Sequence, residues 1–272
     1  MNLLVAINKN YIEQLKILLK SIQTSNPKEV FSIYILHKNL EKNDITNITT
    51  VLNQKQMHLH PIQIPTSEVD SFPVYEKRYP IEIYFRIFAP KYLPKNLNRI
   101  LYLDTDTIVI NNLKEFYNMD FENNYFIATT HIQKLLHKFH EIRLGLASNY
   151  PYINTGVLLM NLKELRKIPI EKEVIHFVRK NEKKLMLPDQ DIISTLYGNR
   201  IKLVENLKYN LGERSWKLHN LNHPKEKITI GWIRKNTVII HYYGRNKPWN
   251  KNYIGKLDNF YKEIAEETLK IK

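Results

Sequence analysis

Apolar residues along the chain follow two rhythms, and each predicts a different element. Short unbroken runs rich in β-branched and aromatic residues predict strands covered on both faces, over residues 3–7, 31–36, 58–64, 99–110, 125–130, 152–161 and 238–243. Elsewhere apolar positions recur at helical spacing, as in Ile12, Leu15, Leu18, Leu19 and Ile22. That spacing predicts helices over residues 11–24, 42–54, 81–89, 133–146, 170–181, 190–197 and 254–270. Asn26-Pro27 ends the first helix, and Pro90 and Pro94 stop the third. Residues 65–80 read as a loop crossing the edge of the sheet. The alternation is regular in the first half and looser in the second. It predicts an α/β fold, a mixed but mostly parallel sheet flanked by helices. No internal repeat or low-complexity linker interrupts it, so residues 1–250 read as one domain and 251–272 as a C-terminal amphipathic helix.

The run 99–110 carries an acidic pair, Asp104 and Asp106, towards its C-terminal end. Residues i and i+2 of an extended segment point the same way, so the two carboxylates can converge. In open α/β sheets the ligand crevice lies outside the carboxyl ends of the strands. Two carboxylates there repel unless a cation lies between them, and a hard divalent ion able to hold a diphosphate suits them. The plainer alternative is one Asp capping a turn beside another that is solvated.

Four further segments change the picture. Ala6-Ile7-Asn8-Lys9-Asn10-Tyr11 closes the first strand with two amides and a ring, the parts that hydrogen-bond a base edge and stack on its face; the amides also suit a turn or helix cap. His241-Tyr242-Tyr243-Gly244-Arg245-Asn246-Lys247-Pro248-Trp249 ends the last strand and offers an imidazole for metal, a glycine for close backbone approach and a lysine for phosphate. Asp189-Gln190-Asp191 opens a helix, where acids favour the dipole and at least one of them caps. Asn154-Thr155-Gly156 sets a polar amide in an apolar strand that a pure core strand would not need.

Composition narrows the field. The 272 residues fit one large α/β domain, or a core with a small appendage. Cysteine is absent, which excludes disulfides, thiolate metal sites and a cysteine nucleophile. The apolar run at the N-terminus is too short for a signal sequence and no run is long enough to span a bilayer, so a cytoplasmic location is expected. No G-x-G-x-x-G follows the first strand and no P-loop pattern occurs, which disfavours dinucleotide and P-loop chemistry. Forty-one Lys and Arg against 27 Asp and Glu leave a formal charge of +14, a field that favours nucleotide-diphosphates, anionic lipid or nucleic acid. The lysines are scattered and accompany abundant Asn and Ile, as an AT-rich genome would produce, so nucleic acid is not an expected partner. In the last helix, Ile254, Leu257, Phe260, Tyr261, Ile264 and Leu269 either pack back on the domain or rest on an anionic membrane. Glu263, Glu266 and Glu267 oppose the second use.

The ordered set A-x-N-x-N-Y, Y-F-R-I, L-Y-L-D-T-D-T-I-V, N-T-G-V-L-L-M-N, L-P-D-Q-D and H-Y-Y-G-R-N-K-P-W resembles glycosyltransferase family 8. That family includes bacterial lipopolysaccharide galactosyl- and glucosyltransferases and glycogenin. The resemblance spans residues 1–249. It implies a GT-A fold with a Rossmann-like nucleotide-binding half and an acceptor half. It also implies a nucleotide-diphospho-sugar donor (UDP in most members), Mn²⁺ or else Mg²⁺, and transfer with retention of anomeric configuration. Carried over residue by residue, Asp104, Asp106 and His241 match the metal ligands, and Ala6, Asn8, Asn10, Tyr11 and Thr105 the uridine pocket. Arg86, Asp104, Asn154, Asp189 and Gln190 match donor-sugar contacts, and Gly244 and Lys247 diphosphate contacts. Gln190 stands where the family places a debated nucleophile or stabiliser, with Asp189 beside it and Lys247 supplying charge to the leaving group. A neutral amide is a poor nucleophile, which favours same-face attack by the acceptor with the leaving phosphate as base.

Two positions depart from the pattern. Many relatives carry an acid where this chain has Asn8, and often one just after the strand ending near Thr130, where Thr129-Thr130-His131 stands here. The first bears on base selectivity, the second on sugar or acceptor preference. The expected activity is transfer of glucose or galactose from a UDP-sugar to a glycan or lipid-linked acceptor, at the inner face of the membrane. A donor hydrolase, an inactive sugar-nucleotide binder and a basic nucleic-acid-binding protein are the alternatives.

Overall fold

The computed structural model describes residues 1–69, 80–130 and 134–269. Its strands are β1 (Asn2–Ala6), β2 (Phe31–His37), β3 (Met57–Gln63), β4 (Arg99–Leu103), β5 (Thr107–Val109), β6 (Phe126–Thr129), β7 (Asn154–Asn161), β8 (Ile201–Leu203) and β9 (Ile239–His241). Seven of them form one sheet in the order β3-β2-β1-β4-β7-β6-β8, and β5 and β9 form a separate antiparallel pair. In the large sheet β7 alone runs against its neighbours β4 and β6, while the other pairings are parallel. The expected mixed, mostly parallel sheet is therefore present.

Alternate side chains of the central strands enter two cores, as a two-residue period requires. Leu4, Tyr34, Leu36, Ile100, Tyr102, Leu158 and Met160 pack on one face with the helices Glu82–Tyr92 and Pro188–Tyr197. Leu3, Val5, Ile33, Ile35, Leu101, Leu103 and Leu159 pack on the other with the helix Ile12–Ser25. Both faces are dry, which is why these strands read as unbroken apolar runs. The chain lays β2 and β3 on one side of β1 and β4 on the other. The carboxyl ends of β1 and β4 thus flank a topological switch point, the place where such sheets bind ligands.

The structure corrects the sequence-based outline in several places. The run 99–110 is not one strand: it breaks at Asp104-Thr105-Asp106, and β5 leaves the large sheet to pair with β9. The break is a turn, closed by the Thr107 N–H (3.1 Å) and the Thr107 hydroxyl (2.7 Å), both donating to the Asp104 carbonyl. The helix expected over 42–54 ends at Thr49, and the helix Glu82–Tyr92 runs through Pro90, which falls in its last turn and there forgoes one intrahelical hydrogen bond shortly before the helix ends. The loop expected over 65–80 begins with a short helix, Thr66–Val69; residues 70–79 lie outside the described residues, as does residue 133 at the start of the helix Lys134–Leu144. Between residues 197 and 238, where the pattern shows no periodicity, lie β8 and the helices Asn206–Tyr209, Glu213–Asn222 and Ile230–Asn236. The last helix, Asp258–Leu269, starts later than expected and turns Phe260 and Tyr261 inwards against Ile17, Trp216 and Tyr242.

Candidate active site

The break after β4 builds the site. The chain turns between Asp104, whose N–H still donates to the Gly156 carbonyl at 2.8 Å, and Asp106, whose carbonyl accepts from the Tyr242 N–H at 2.9 Å, and the turn aims both carboxylates at one point. The carboxylates converge as expected, but through the turn, not through strand alternation. Pairing of β5 with β9 sets Thr107 opposite His241, so the imidazole arrives from the second sheet. One ligand atom each from Asp104, Asp106 and His241 lie within 4.8 Å of one another. His241 Nε2 is 3.1 Å from Asp106 Oδ1 and 3.9 Å from Asp104 Oδ2.

Two observations test whether this trio fits a cation. Asp106 Oδ1 is buried and accepts no hydrogen bond, an arrangement that is costly unless something positive completes it. Gly156, on β7, lies directly beneath: a Cβ there would stand 2.3 Å from His241 Cε1 and 2.5 Å from Asp104 Oδ2. The missing side chain keeps the floor of the site open. Two carboxylates and one imidazole suit Mn²⁺ or Mg²⁺, with positions left for substrate oxygens. The residues fit a divalent metal.

Charge around the trio is balanced. Burial works to raise the Asp106 carboxyl, but the His241 ring and the Lys247 ammonium outweigh it and hold it below the usual carboxylate range. Lys247 donates to Asp106 Oδ2 and, at 2.9 Å, to the Tyr242 carbonyl. The strap bearing it turns at Gly244, whose φ of +84° is open to glycine at little cost.

On the other side Arg86 joins two acids. Its guanidinium donates to Asp104 Oδ1 at 2.7 Å, lies 3.1 Å from Asp189 Oδ2, and covers the Tyr102 ring at 4.3 Å. The Tyr102 hydroxyl donates to Asp104 Oδ1 at 2.7 Å, and the Thr155 hydroxyl to Asp189 Oδ2 at 2.5 Å. Burial opposes the Arg86 charge; Asp104 and Asp189 overcome it and keep the guanidinium firmly protonated. Burial pushes the Asp189 carboxyl up, against the pull of Arg86 and Thr155.

Within L-P-D-Q-D the three polar residues separate. Asp191 is fully buried and turned away: it accepts from Arg143, from the Tyr152 hydroxyl, and from the Met186 and Leu187 N–H groups that precede the helix. Asp189 faces Arg86, and Gln190 is half-buried at the first turn. The expected N-cap is not formed: the capping position is Leu187, without a side-chain cap, and Asp191 reaches back from inside the helix to the N–H groups before it.

At the end of β1, the pairing of Leu4 with Tyr102 carries Ala6 to the level of Asp104. Asn8 accepts from the Asn10 N–H at 3.1 Å and caps the single turn Lys9–Tyr11, so its amide serves the backbone as the plainer reading allows. Asn10 and Tyr11 are exposed, and Thr105 is buried in the turn. Of the segment that departs from the family pattern, Thr129 is buried and Thr130 donates to the Tyr152 carbonyl, while His131 lies outside the described residues.

Sequence reasoning missed Asn210, which lies 2.9 Å from His241 Nδ1 in a stretch without periodicity. It also missed Tyr102, whose aromatic bulk reads as core although its hydroxyl reaches Asp104. Nothing in the sequence singles out either residue.

With this geometry described, comparison with known proteins defines the class. The family model "Glycosyl transferase family 8" matches residues 2–253, and the chain belongs to that family. It is 26% identical over 250 residues to a lipopolysaccharide 1,2-glucosyltransferase of Escherichia coli, covering 90% of this chain and 71% of the relative. It is 23% identical over 254 residues to the lipopolysaccharide 1,3-galactosyltransferase of Salmonella typhimurium, covering 92% and 73%. Among solved structures, the galactosyltransferase LgtC, in complex with donor and acceptor sugar analogues, superposes with a TM-score of 0.82 at 23% identity, over 98% of this chain and 95% of that one. That likeness shows the fold, GT-A. No described helix is long and apolar enough to cross a membrane.

Proposed function

We propose that the protein is a metal-dependent, retaining hexosyltransferase that moves glucose or galactose from a UDP-sugar to a glycan or lipid-linked acceptor. The observation that carries the reading is the buried, unbonded Asp106 Oδ1 facing His241 and Asp104 over the open floor at Gly156. Asp104, Asp106 and His241 would hold Mn²⁺, or Mg²⁺, which when bound neutralises and orients the diphosphate leaving group. Lys247, already at the rim, adds positive charge as the bond between the anomeric carbon and the diphosphate oxygen breaks. Gly244 lets the strap approach the diphosphate. Ala6, Asn8, Asn10, Tyr11 and Thr105 form the uridine pocket in this reading.

Arg86, Asp104, Asn154, Asp189 and Gln190 surround the donor sugar. Asp189 supplies negative charge near the oxocarbenium-like carbon, and Arg86 fixes the position of that carboxylate. Gln190 flanks the same carbon and stabilises it. The acceptor hydroxyl attacks from the face the diphosphate leaves, and its proton passes to the departing phosphate oxygen. A new C–O bond thus replaces the broken one on the same side. The acceptor is proposed to lie at the inner face of an anionic membrane, approached through the basic surface.

A panel of UDP-sugars with Mn²⁺, read as UDP release with and without glycan acceptors, tests the activity. Acceptor-dependent release with UDP-glucose or UDP-galactose is expected; acceptor-independent release would identify a hydrolase instead. Asp106→Asn and His241→Ala are expected to abolish metal-dependent donor binding with the fold intact, and unchanged binding in both would sink the site. Calorimetry should rank UDP above GDP and CDP; the reverse order would overturn the base assignment, with Asn8 as the residue to examine.

A further inference from the structure

We propose that Asn210 is a positioning residue that locks His241 in the tautomer whose Nε2 lone pair faces Asp104 and Asp106. The roles of all the atoms follow from one backbone group. The Gly156 N–H can only donate, and it donates to the Asn154 side chain at 3.0 Å, so the atom receiving it is the oxygen, Oδ1. The Asn210 group 3.1 Å from that oxygen must then be the amide nitrogen, which also donates to Thr129 Oγ1 at 3.0 Å. With its nitrogen committed there, Asn210 turns its oxygen towards His241 Nδ1 at 2.9 Å. A carbonyl oxygen only accepts, so Nδ1 carries the proton and, in the neutral ring, Nε2 keeps its lone pair. Nε2 is the atom 3.1 Å from Asp106 Oδ1. A single peptide N–H thereby sets the tautomer of a histidine through Asn154 and Asn210.

The relay is held rigidly at both ends. Asn210 is completely buried, and its own N–H donates to the Asn206 carbonyl at 2.9 Å. The next residue, Leu211, accepts from the His241 N–H at 2.8 Å and donates to the Ile239 carbonyl at 3.0 Å, so the backbones carrying amide and imidazole are stitched together. Asn154 Oδ1 already receives two donors, so Asn154 can meet a sugar only through its N–H groups, as a donor to a hydroxyl oxygen. Metal ligand and proposed sugar contact are therefore members of one hydrogen-bonded chain.

The consequence for metal affinity rests on the proposed transferase site; the tautomer does not. In metal-free, nitrogen-15-labelled protein at mildly alkaline pH, long-range proton–nitrogen correlation should show the His241 ring, identified by its loss in His241→Gln, with the proton on Nδ1. A wild-type ring whose Nδ1 carries no proton overturns the proposal without any variant. Asn210→Leu should give mixed tautomers and weaken Mn²⁺ binding by roughly 10–100-fold in calorimetry, as loss of a metal ligand's hydrogen-bond partner does. Asn210→Asp keeps an oxygen facing Nδ1 but sets its other oxygen against Asn154 Oδ1, so the wild-type ring itself decides the matter if Asn210→Leu does not fold. Unweakened Mn²⁺ binding in folded Asn210→Leu overturns the positioning role while leaving the metal site in place. If the tautomers behave as stated and the wild type binds no Mn²⁺, the metal reading fails and the tautomer lock stands.

Discussion

Gly156 shows how much can rest on an absent side chain. The atoms a Cβ would strike are the His241 ring edge and the Asp104 carboxylate, ends of side chains and not backbone. Gly156→Ala should therefore displace the ligands while sparing the strand, and the lower entropy of the unfolded chain returns about 0.4–1 kcal/mol. We expect Mn²⁺-dependent UDP-sugar binding to fall at least about tenfold, as for other losses of ligand placement, with a melting temperature close to wild type. Calorimetry beside a thermal melt distinguishes this from a general packing defect, which would lower both. Asp189 carries the opposite balance of fold and function. Burial raises its carboxyl, so the ionised form is disfavoured in the folded protein relative to the unfolded chain, whose Asp titrates near about 3.9. Its contribution to stability is greatest below that value and is lost as pH rises through the folded one. Asp189→Asn removes the penalty and leaves Arg86 paired with Asp104. Relative to wild type the variant should gain stability as pH rises above about 4, where the unfolded Asp ionises, while transfer drops by about 10²-fold through loss of charge beside the reacting carbon. A variant that loses stability over that range would contradict the balance described.

At the level of elements, legibility followed periodicity. β1, β2 and β4 pack side chains into both cores, and the sequence shows them as apolar runs. The break at Asp104-Thr105-Asp106 was hidden because β5 resumes the same apolar pattern after the turn; only the pairing with β9, distant in sequence, reveals it. The helices between residues 206 and 236 were hidden for a different reason: they are short, and of the helix Glu213–Asn222 only Trp216 is buried. The acidic pair, His241 and the L-P-D-Q-D segment were legible as chemistry because polar groups in or beside apolar runs need a reason. Asn210 was not, since its meaning lies in atoms contributed by β6, β7 and β9. The last helix had two readings, and its packing decides what its apolar face does. Leu257, Phe260 and Tyr261 are buried, and Arg234 covers the Phe260 ring at 4.8 Å while pairing with Glu263 at 2.7 Å. Phe260→Ala should cost about 3–5 kcal/mol in denaturant unfolding, the usual range for a truncated core phenylalanine. A cost below about 1 kcal/mol would mean that this helix is only loosely attached.

The molecule as a whole carries a formal charge of +14 on a surface where many lysines are already paired with acids, among them Lys9 with Glu41, Lys91 with Glu171, Lys114 with Glu29 and Lys208 with Glu115. Exposed pairs of this type add little to stability, so the excess matters chiefly through the long-range field. A field of that sign draws anionic partners of every kind, and the means of telling them apart is depth. Phosphates held by Lys247 and a cation on Asp104, Asp106 and His241 would be screened weakly, whereas a lipid surface could meet only exposed charge. With Leu257, Phe260 and Tyr261 packed inside the protein, the helix itself offers a membrane little apolar surface, while Ile254, expected on the same face, stands exposed before the helix begins. Co-sedimentation with phosphatidylglycerol vesicles should therefore be measurable at low salt and vanish by about 0.5 M, where the Debye length has shrunk well below its roughly 10 Å at 0.1 M. UDP binding with Mn²⁺ should weaken far less over the same range. Oligonucleotide binding, where detectable, should fall as steeply as vesicle binding, since it too would rest on exposed charge. Vesicle binding that survives high salt would require an apolar contact, either from exposed residues such as Ile142, Leu221 and Ile254 or from release of the last helix, and would show that exposed charge is not its basis.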